Sequence, residues 1–375
     1  MPDRPTRAVA VTGAGSAVGA ALVRALAADP GTHRVVAVHD AATAGALPAG
    51  DVAQDVARDV AHVEHLSTDL TSPDVARLLA RVDAVVHVAV DTDLEAALAR
   101  QPGERRERAV GAARAVTTAA AAVGAASLVA VTSAMVLGAL PDAPVPLRED
   151  APLRAVPDDG LVGDLLAVEE VLERARSAHP GTQVAVLRPA ALVGPGVDTV
   201  ITRHFEAPRL LTLRDSPSLW QFCHVDDVAS AVLTALDAGL SGPLTVAATG
   251  VLTQQALERA SGMRRVELPS RLALATAERL SRLAVVPMPA GDLAYVVHPW
   301  VVGSERLLAS GWTPAHDNTA CLAVLLEQVA ARRARPGGLR VTPREAALGA
   351  AGAAVALVGT AALLRQARAR RRARP

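Results

Sequence analysis

Lysine is absent from this chain: all 38 of its basic residues are arginine. Tyrosine occurs once, at Tyr295, phenylalanine twice and tryptophan three times. A guanidinium stays protonated in proteins, so arginine cannot replace lysine as a titrating group. Chemistry that needs a tyrosine and a lysine side by side on one helix is therefore excluded. With aromatics at 2%, stacking platforms for bases are scarce. The 38 acidic residues cancel the basic ones, and a nucleic-acid partner would need clustered positive charge. Only two cysteines occur, Cys223 and Cys321, with no metal-ligand spacing and no disulfide framework. They read as small buried hydrophobes in a reducing cytoplasm. The segment Met1–Arg7 is short and polar and carries no apolar run of the signal-peptide kind.

What is present is apolar bulk in a regular rhythm. The chain has 375 residues, 51% of them hydrophobic, enough for one α/β core and a smaller satellite. Short β-branched runs at 9–11, 35–38, 85–88, 128–131 and 184–187 read as strands buried on both faces. Helical patterns at 18–28, 105–123 and 161–178 lie between them. This alternation predicts a Rossmann-type doubly wound parallel sheet with right-handed crossovers. Residues 7–190 are expected to form that Rossmann domain, and 225–250 to return to its sheet. Residues 191–224 and 251–331 form a smaller, mostly helical substrate-side domain. Residues 332–375 comprise a basic linker, an uncharged apolar stretch at 346–364 and an arginine-rich end.

The strongest local signal is Val11-Thr12-Gly13-Ala14-Gly15-Ser16-Ala17-Val18-Gly19, which joins the first strand to the first helix. Gly13 permits the tight turn. A small residue at Gly15, with Ser16 and Val18 beside it, lets backbone amides approach a pyrophosphate. Gly19 lets the helix pack closely on the strand, and the helix N-terminus favours the negative charge. A purely structural glycine turn has the same look; the strand before it, the helix after it and an acid at the right distance favour the dinucleotide. That acid is Asp40 at the end of the second strand, placed to accept from ribose hydroxyls and to repel a 2′-phosphate, which selects NAD over NADP. The side chains of Ser16 and Ala17 stand where a further glycine is common, so a turn that binds no dinucleotide is a third alternative.

Further segments carry a family likeness. Asp69-Leu70, His87-Val88-Ala89, Thr132-Ser133-Ala134-Met135-Val136-Leu137-Gly138, Leu187-Arg188-Pro189-Ala190-Ala191-Leu192-Val193-Gly194-Pro195, Phe222-Cys223-His224-Val225-Asp226-Asp227-Val228-Ala229 and Leu308-Ala309-Ser310-Gly311-Trp312-Thr313-Pro314 follow in order along the chain. Together they resemble the NAD-dependent epimerase/dehydratase family, the extended short-chain dehydrogenases. The resemblance implies NAD as cofactor, held by the Gly13–Gly19 turn, Asp40, Asp69, Leu70, Val88, Ala89 and Pro189. It places Ser133 at the serine that polarises the substrate. It also implies homodimers and a nucleotide-sugar-like small-molecule substrate.

The likeness breaks where chemistry is expected. The family carries a Tyr-x-x-x-Lys pair on the helix after the serine segment, one turn apart on one face. Aligning on Val168-Glu169-Glu170-Val171-Leu172 puts Leu161 at the tyrosine and Leu165 at the lysine. The asparagine of the preceding helix is replaced by Arg108 or Ala109. General acid–base catalysis is typically worth about 10²–10⁴-fold, and two leucines supply none of it. Among replacements, Asp158, Asp159 and Asp164 lie near that helix, and Asp164 reads as an exposed helix acid. His224 reads as a buried structural histidine and Tyr295 as small-domain core.

Two classes of function stay open on the sequence. One is an atypical epimerase/dehydratase-like enzyme with a non-standard proton carrier. The other is a non-catalytic NAD-binding sensor or scaffold. The tail leaves three readings: a membrane anchor, an interfacial helix and a helix against the protein. Residues 346–364 are long enough to span a bilayer but rich in Ala and Gly, which makes insertion marginal. The arginines around them favour anionic lipid by roughly 1 kcal/mol each near the surface. The expectation is a cytoplasmic protein with membrane contact through 346–374.

Overall fold

The computed structural model describes residues 6–41, 62–207, 209–214, 218–269, 292 and 294–334. Its centre is a seven-stranded sheet built from β1 (Arg7–Thr12), β2 (Thr32–Asp40), β3 (Val63–Thr68), β4 (Ala84–Val88), β5 (Ser127–Val131), β6 (Gln183–Pro189) and the strand Gly242–Val246. The spatial order is Gly242–Val246, β6, β5, β4, β1, β2, β3, and every neighbouring pair is parallel. The order of connection reverses between β1 and β4. In a doubly wound sheet that reversal opens a crevice beyond the carboxyl ends of the strands.

Alternation along the strands divides the core into two layers. Val9, Val11, Val35, Ala37, Val86 and Val129 face the helix α1 (Ala17–Ala28) and the helix Val225–Asp237. Ala10, Val36, Val38, Val85, Leu128 and Ala130 face the helices Pro102–Ala122 and Leu161–Ala178. Continuous Val/Ala runs suit strands covered on both sides. The edge strand β3 differs, with Glu64 and His65 exposed, and no apolar run announces it in the sequence.

The helix Leu161–Ala178 is fixed to the sheet by a buried polar node. Glu169 accepts from Arg188 Nε at 3.0 Å and Nη2 at 2.6 Å and from Thr132 Oγ1 at 2.8 Å. Arg188 is the arginine of the Leu-Arg-Pro segment, so that segment holds the helix that begins at Leu161.

Residues 191–224 leave the main sheet for short strands. Ala191–Val193 pairs with Phe222–His224, and Arg209–Leu213 pairs with Arg264–Leu268, both in parallel. The described part of 251–331 holds the helices Gln254–Ser261, Ala294–Val297, Glu305–Ala309 and most of Asn318–Ala334 beside the strands Leu252–Thr253 and Arg264–Leu268. Phe205, Trp220 and Phe222 pack ring against ring at this junction, 5.3–6.4 Å between centroids. The scarce aromatics are thus concentrated where the two parts of the chain meet. The apolar stretch 346–364 and the arginine run after it lie outside the described residues. Among the described residues, no helix is long and apolar enough to cross a membrane.

Candidate functional site

The glycine-rich turn sits at the mouth of the β1/β4 crevice. Gly13 has φ +79°, and a Cβ there would lie 2.9 Å from the Val88 carbonyl oxygen. A Cβ on Gly19 would strike the Gly13 carbonyl oxygen, so Gly19 serves the close approach of helix and strand. Ser16 caps α1: its hydroxyl donates to the Gly13 carbonyl at 2.9 Å and accepts from the Gly19 amide at 3.0 Å. The amides of Gly13 and Ala14 donate to the Val38 carbonyl, that of Ser16 to Gly13, and that of Ala17 to Thr92 Oγ1. The amides of Gly15 and Val18 take part in none of these bonds. Of the two, Gly15 is exposed and Val18 buried; the Gly15 amide at a helix N-terminus, beside the tight Gly13 turn, fits a pyrophosphate.

A cavity of about 220 Å³ extends from this turn, with Gly13, Gly15, Ser16, Asp40, Leu70, Val88 and Ala89 in its wall. Val18, Gly19, Asp69 and Pro189 do not line it. Val18 is wholly buried in the core. Pro189 ends β6 beside Val246, and Asp69 caps its own turn, accepting from the Thr71 amide and hydroxyl. Those two bonds, followed by the Arg108 guanidinium, hold the Asp69 carboxyl below its usual range.

Arg108 was legible only as a missing asparagine. It reaches across the crevice and donates to both carboxylate oxygens of Asp40 at 3.2 Å and to Asp69 at 3.3 Å. His39, also in the cavity wall, stacks on His65 and shares a 3.0 Å ring–ring hydrogen bond with it. Burial and then the second ring lower the His39 pKa. At the floor, His87 contacts Thr12 Oγ1 at 2.9 Å, and burial depresses its pKa to about 4, so it is neutral.

A second cavity of about 70 Å³ shares Ala89, Val90, Asp91 and Ala109 with the first. Its wall brings together Ser133, Leu161 and Leu165. Ser133 caps a short 3-10 turn and accepts the Met135 amide at 3.2 Å, which leaves its own proton to donate. No phenol and no ammonium lines this wall.

Carboxylates line it instead. Asp164 is not the exposed helix acid expected from the sequence: it is 5% exposed and lies between Arg105 Nε at 2.5 Å and Arg106 Nε at 3.0 Å. The two arginines come from the preceding helix, whose face no local pattern links to residue 164. Asp91 stands at the junction of the cavities, open to the cleft yet ringed by protein. Burial pushes its pKa to about 6 against the pull of Arg105 and Arg100. Asp292 is 2% exposed beside Leu161. Tyr295 does come near in space, since its hydroxyl donates to the Met135 carbonyl at 2.7 Å. That bond occupies its proton, and burial raises its pKa further. His224 caps its helix, accepting the Asp226 amide, and stacks on His316 at 4.0 Å. Both cysteines are buried and free, their thiol pKa values raised by burial.

Comparison with known proteins agrees with this architecture. A sequence model of the NAD dependent epimerase/dehydratase family matches residues 9–246. Uncharacterised proteins of Mycobacterium bovis and Mycobacterium tuberculosis are each 28% identical over 266 residues, 69% of this chain and 67% of theirs. Among solved structures, a UDP-N-acetylglucosamine 4-epimerase from Methanobrevibacter ruminantium, in complex with UDP-N-acetylmuramic acid, superposes with TM-score 0.63 at 16% identity, covering 87% of this chain and 99% of its own. The dTDP-glucose 4,6-dehydratase DesIV from Streptomyces venezuelae, with NAD and TYD bound, gives TM-score 0.62 at 18% identity, covering 88% and 98%.

Proposed function

The chain belongs to the NAD-dependent epimerase/dehydratase family, and we propose that it binds NAD and uses it to oxidise or isomerise a nucleotide-sugar-like substrate with a proton carrier other than the tyrosine–lysine pair. The observation that carries the reading is the pair of cavities with a common wall. One holds the glycine turn and Asp40, the other Ser133, and Ala89, Val90, Asp91 and Ala109 belong to both. NAD, when bound, supplies a hydride acceptor. The Gly15 amide would hold its pyrophosphate, with the α1 N-terminus behind it, and Asp40 would take the ribose hydroxyls. Ser133 would donate its proton to a substrate oxygen, orienting the carbinol and favouring the charge that develops there.

Leu161 and Leu165 in the second cavity favour the other reading, an NAD-binding module without turnover. Calorimetric titration of the full chain with NAD and NADP, after assay for nucleotide retained through purification, tests what the two have in common. Saturable NAD binding supports it; neither binding nor retained nucleotide overturns it. Formation of NADH on addition of UDP- or dTDP-sugars then separates enzyme from sensor.

A further inference from the structure

The cavity beside Ser133 lacks a phenol and an ammonium, but it does contain an acid with an unpaired oxygen. We propose that Asp292 Oδ2 is the proton carrier of this site, doing the work that a tyrosine hydroxyl would do from position 161. The inference rests on the enzymatic reading above.

Three observations place it there. Asp292 lines the same cavity wall as Ser133, Leu161 and Leu165. The Leu161 backbone amide acts on it, favouring its ionised form, so it lies by the N-terminus of the helix Leu161–Ala178, against the residue that replaces the tyrosine. Its Oδ2 is buried and has no hydrogen-bond partner. A buried unsatisfied carboxylate oxygen is costly, and a substrate hydroxyl entering the cavity would satisfy it.

The other acids of the wall are less suited. Asp164 is committed to Arg105 and Arg106. Asp198 accepts from Arg203 at 2.7 Å and from Arg332 at 3.2 Å. Asp91 stands between the two cavities, facing Arg105 and Arg100, rather than beside Leu161. Asp292 faces Asp158 and Asp164, which oppose its ionisation, and Arg105, which favours it. Burial is the largest cause; with the two carboxylates it outweighs Arg105 and the Leu161 amide and raises the pKa to about 7. A general acid–base group is most effective when its pKa lies near the working pH. An ordinary solvated aspartate would be too weak a base.

In the oxidation, the O–H bond of a substrate carbinol breaks and its proton passes to Asp292 Oδ2. The carbinol hydrogen leaves carbon with its electron pair for bound NAD, and the C–O bond becomes C=O. The carbon is oxidised by two electrons and the dinucleotide is reduced by two. In the return reduction, Asp292 gives the proton back to the oxygen.

The first test needs no substrate. Infrared difference titration of the full chain, with and without saturating NAD, should show a protonated carboxyl band that titrates near neutrality and vanishes in Asp292→Asn. The second uses UDP-glucose and dTDP-glucose as probes and follows NADH. Asp292→Asn, which keeps the size of the side chain, should lose about 10²–10⁴-fold in turnover with NAD affinity unchanged. Asp292→Glu should recover part of that and shift the pH profile. NAD binding with Asp292 ionised throughout the neutral range overturns the assignment. So does NADH formation that Asp292→Asn leaves intact. Failure to bind NAD overturns instead the reading on which it rests.

Discussion

Arg188 and Glu169 form a buried bidentate ion pair, Nε to Oε1 at 3.0 Å and Nη2 to Oε2 at 2.6 Å, with side chains 9% and 4% exposed. The pair ties β6 to the helix Leu161–Ala178 and so sets which residues of that helix face the second cavity. Breaking one half of such a pair leaves a buried charge unmatched. Glu169→Ala is expected to cost about 3–5 kcal/mol in chemical denaturation, and Glu169→Gln less, because it keeps an acceptor for Thr132.

The dinucleotide turn offers a sharper substitution. Gly13→Ala adds a Cβ 2.9 Å from the Val88 carbonyl at φ +79°. Backbone strain of this kind costs on the order of 1–3 kcal/mol, and Val88 also lines the cavity. Thermal melting should fall, and NAD affinity measured by calorimetry should fall with it.

Cofactor preference rests on Asp40 and on the cation that touches it. Arg108 partly neutralises Asp40, so it weakens the repulsion of a 2′-phosphate. Arg108→Ala should raise the NAD-to-NADP affinity ratio by roughly tenfold, about 1.4 kcal/mol, and Asp40→Arg should invert it. Competitive titration at fixed salt measures both, because the effect is electrostatic and screened.

Asp292 also makes stability depend on pH. Its folded pKa, about 7, lies above the ordinary aspartate value of 3.8. A raised pKa favours the folded state while the group is protonated. That contribution is complete below pH 3.8, falls as pH rises, and is gone above about 7. Relative to wild type, Asp292→Asn should therefore gain stability between pH 5 and pH 8, on the order of a few kcal/mol. Paired denaturation curves at the two pH values isolate it from every other titrating group.

Much of the scaffold could be read along the chain because it is written in local periodicity. The helix over 161–178 and the Val/Ala strands have patterns that only a two-sided sheet requires. The edge strand Val63–Thr68, half exposed, requires none and passes unnoticed. The same limit applies at the site. The turn, Asp40 and the Leu161/Leu165 substitution are visible because each is a position in a local motif. Asp292 is 131 positions from Leu161 and belongs to no motif; only the packing of remote segments brings it there. A lone acid among the apolar residues of Met288-Pro289-Ala290-Gly291-Asp292-Leu293 was the one available sign. The reach of Arg108 to Asp40 likewise depends on how two elements flank a crevice, which no spacing encodes.

The bond between Tyr295 and the Met135 carbonyl has a practical consequence. This chain has a single phenol, and its ring meets Trp300 edge-on at 5.7 Å between centroids, while Trp300 itself borders the second cavity. The protein thus contains an intrinsic donor–acceptor pair at the place where a substrate would settle. Trp220 and Trp312 emit as well, so the emission lost in Trp300→Phe isolates the indole at the cavity, and its change on titration would register a ligand's arrival without any label attached.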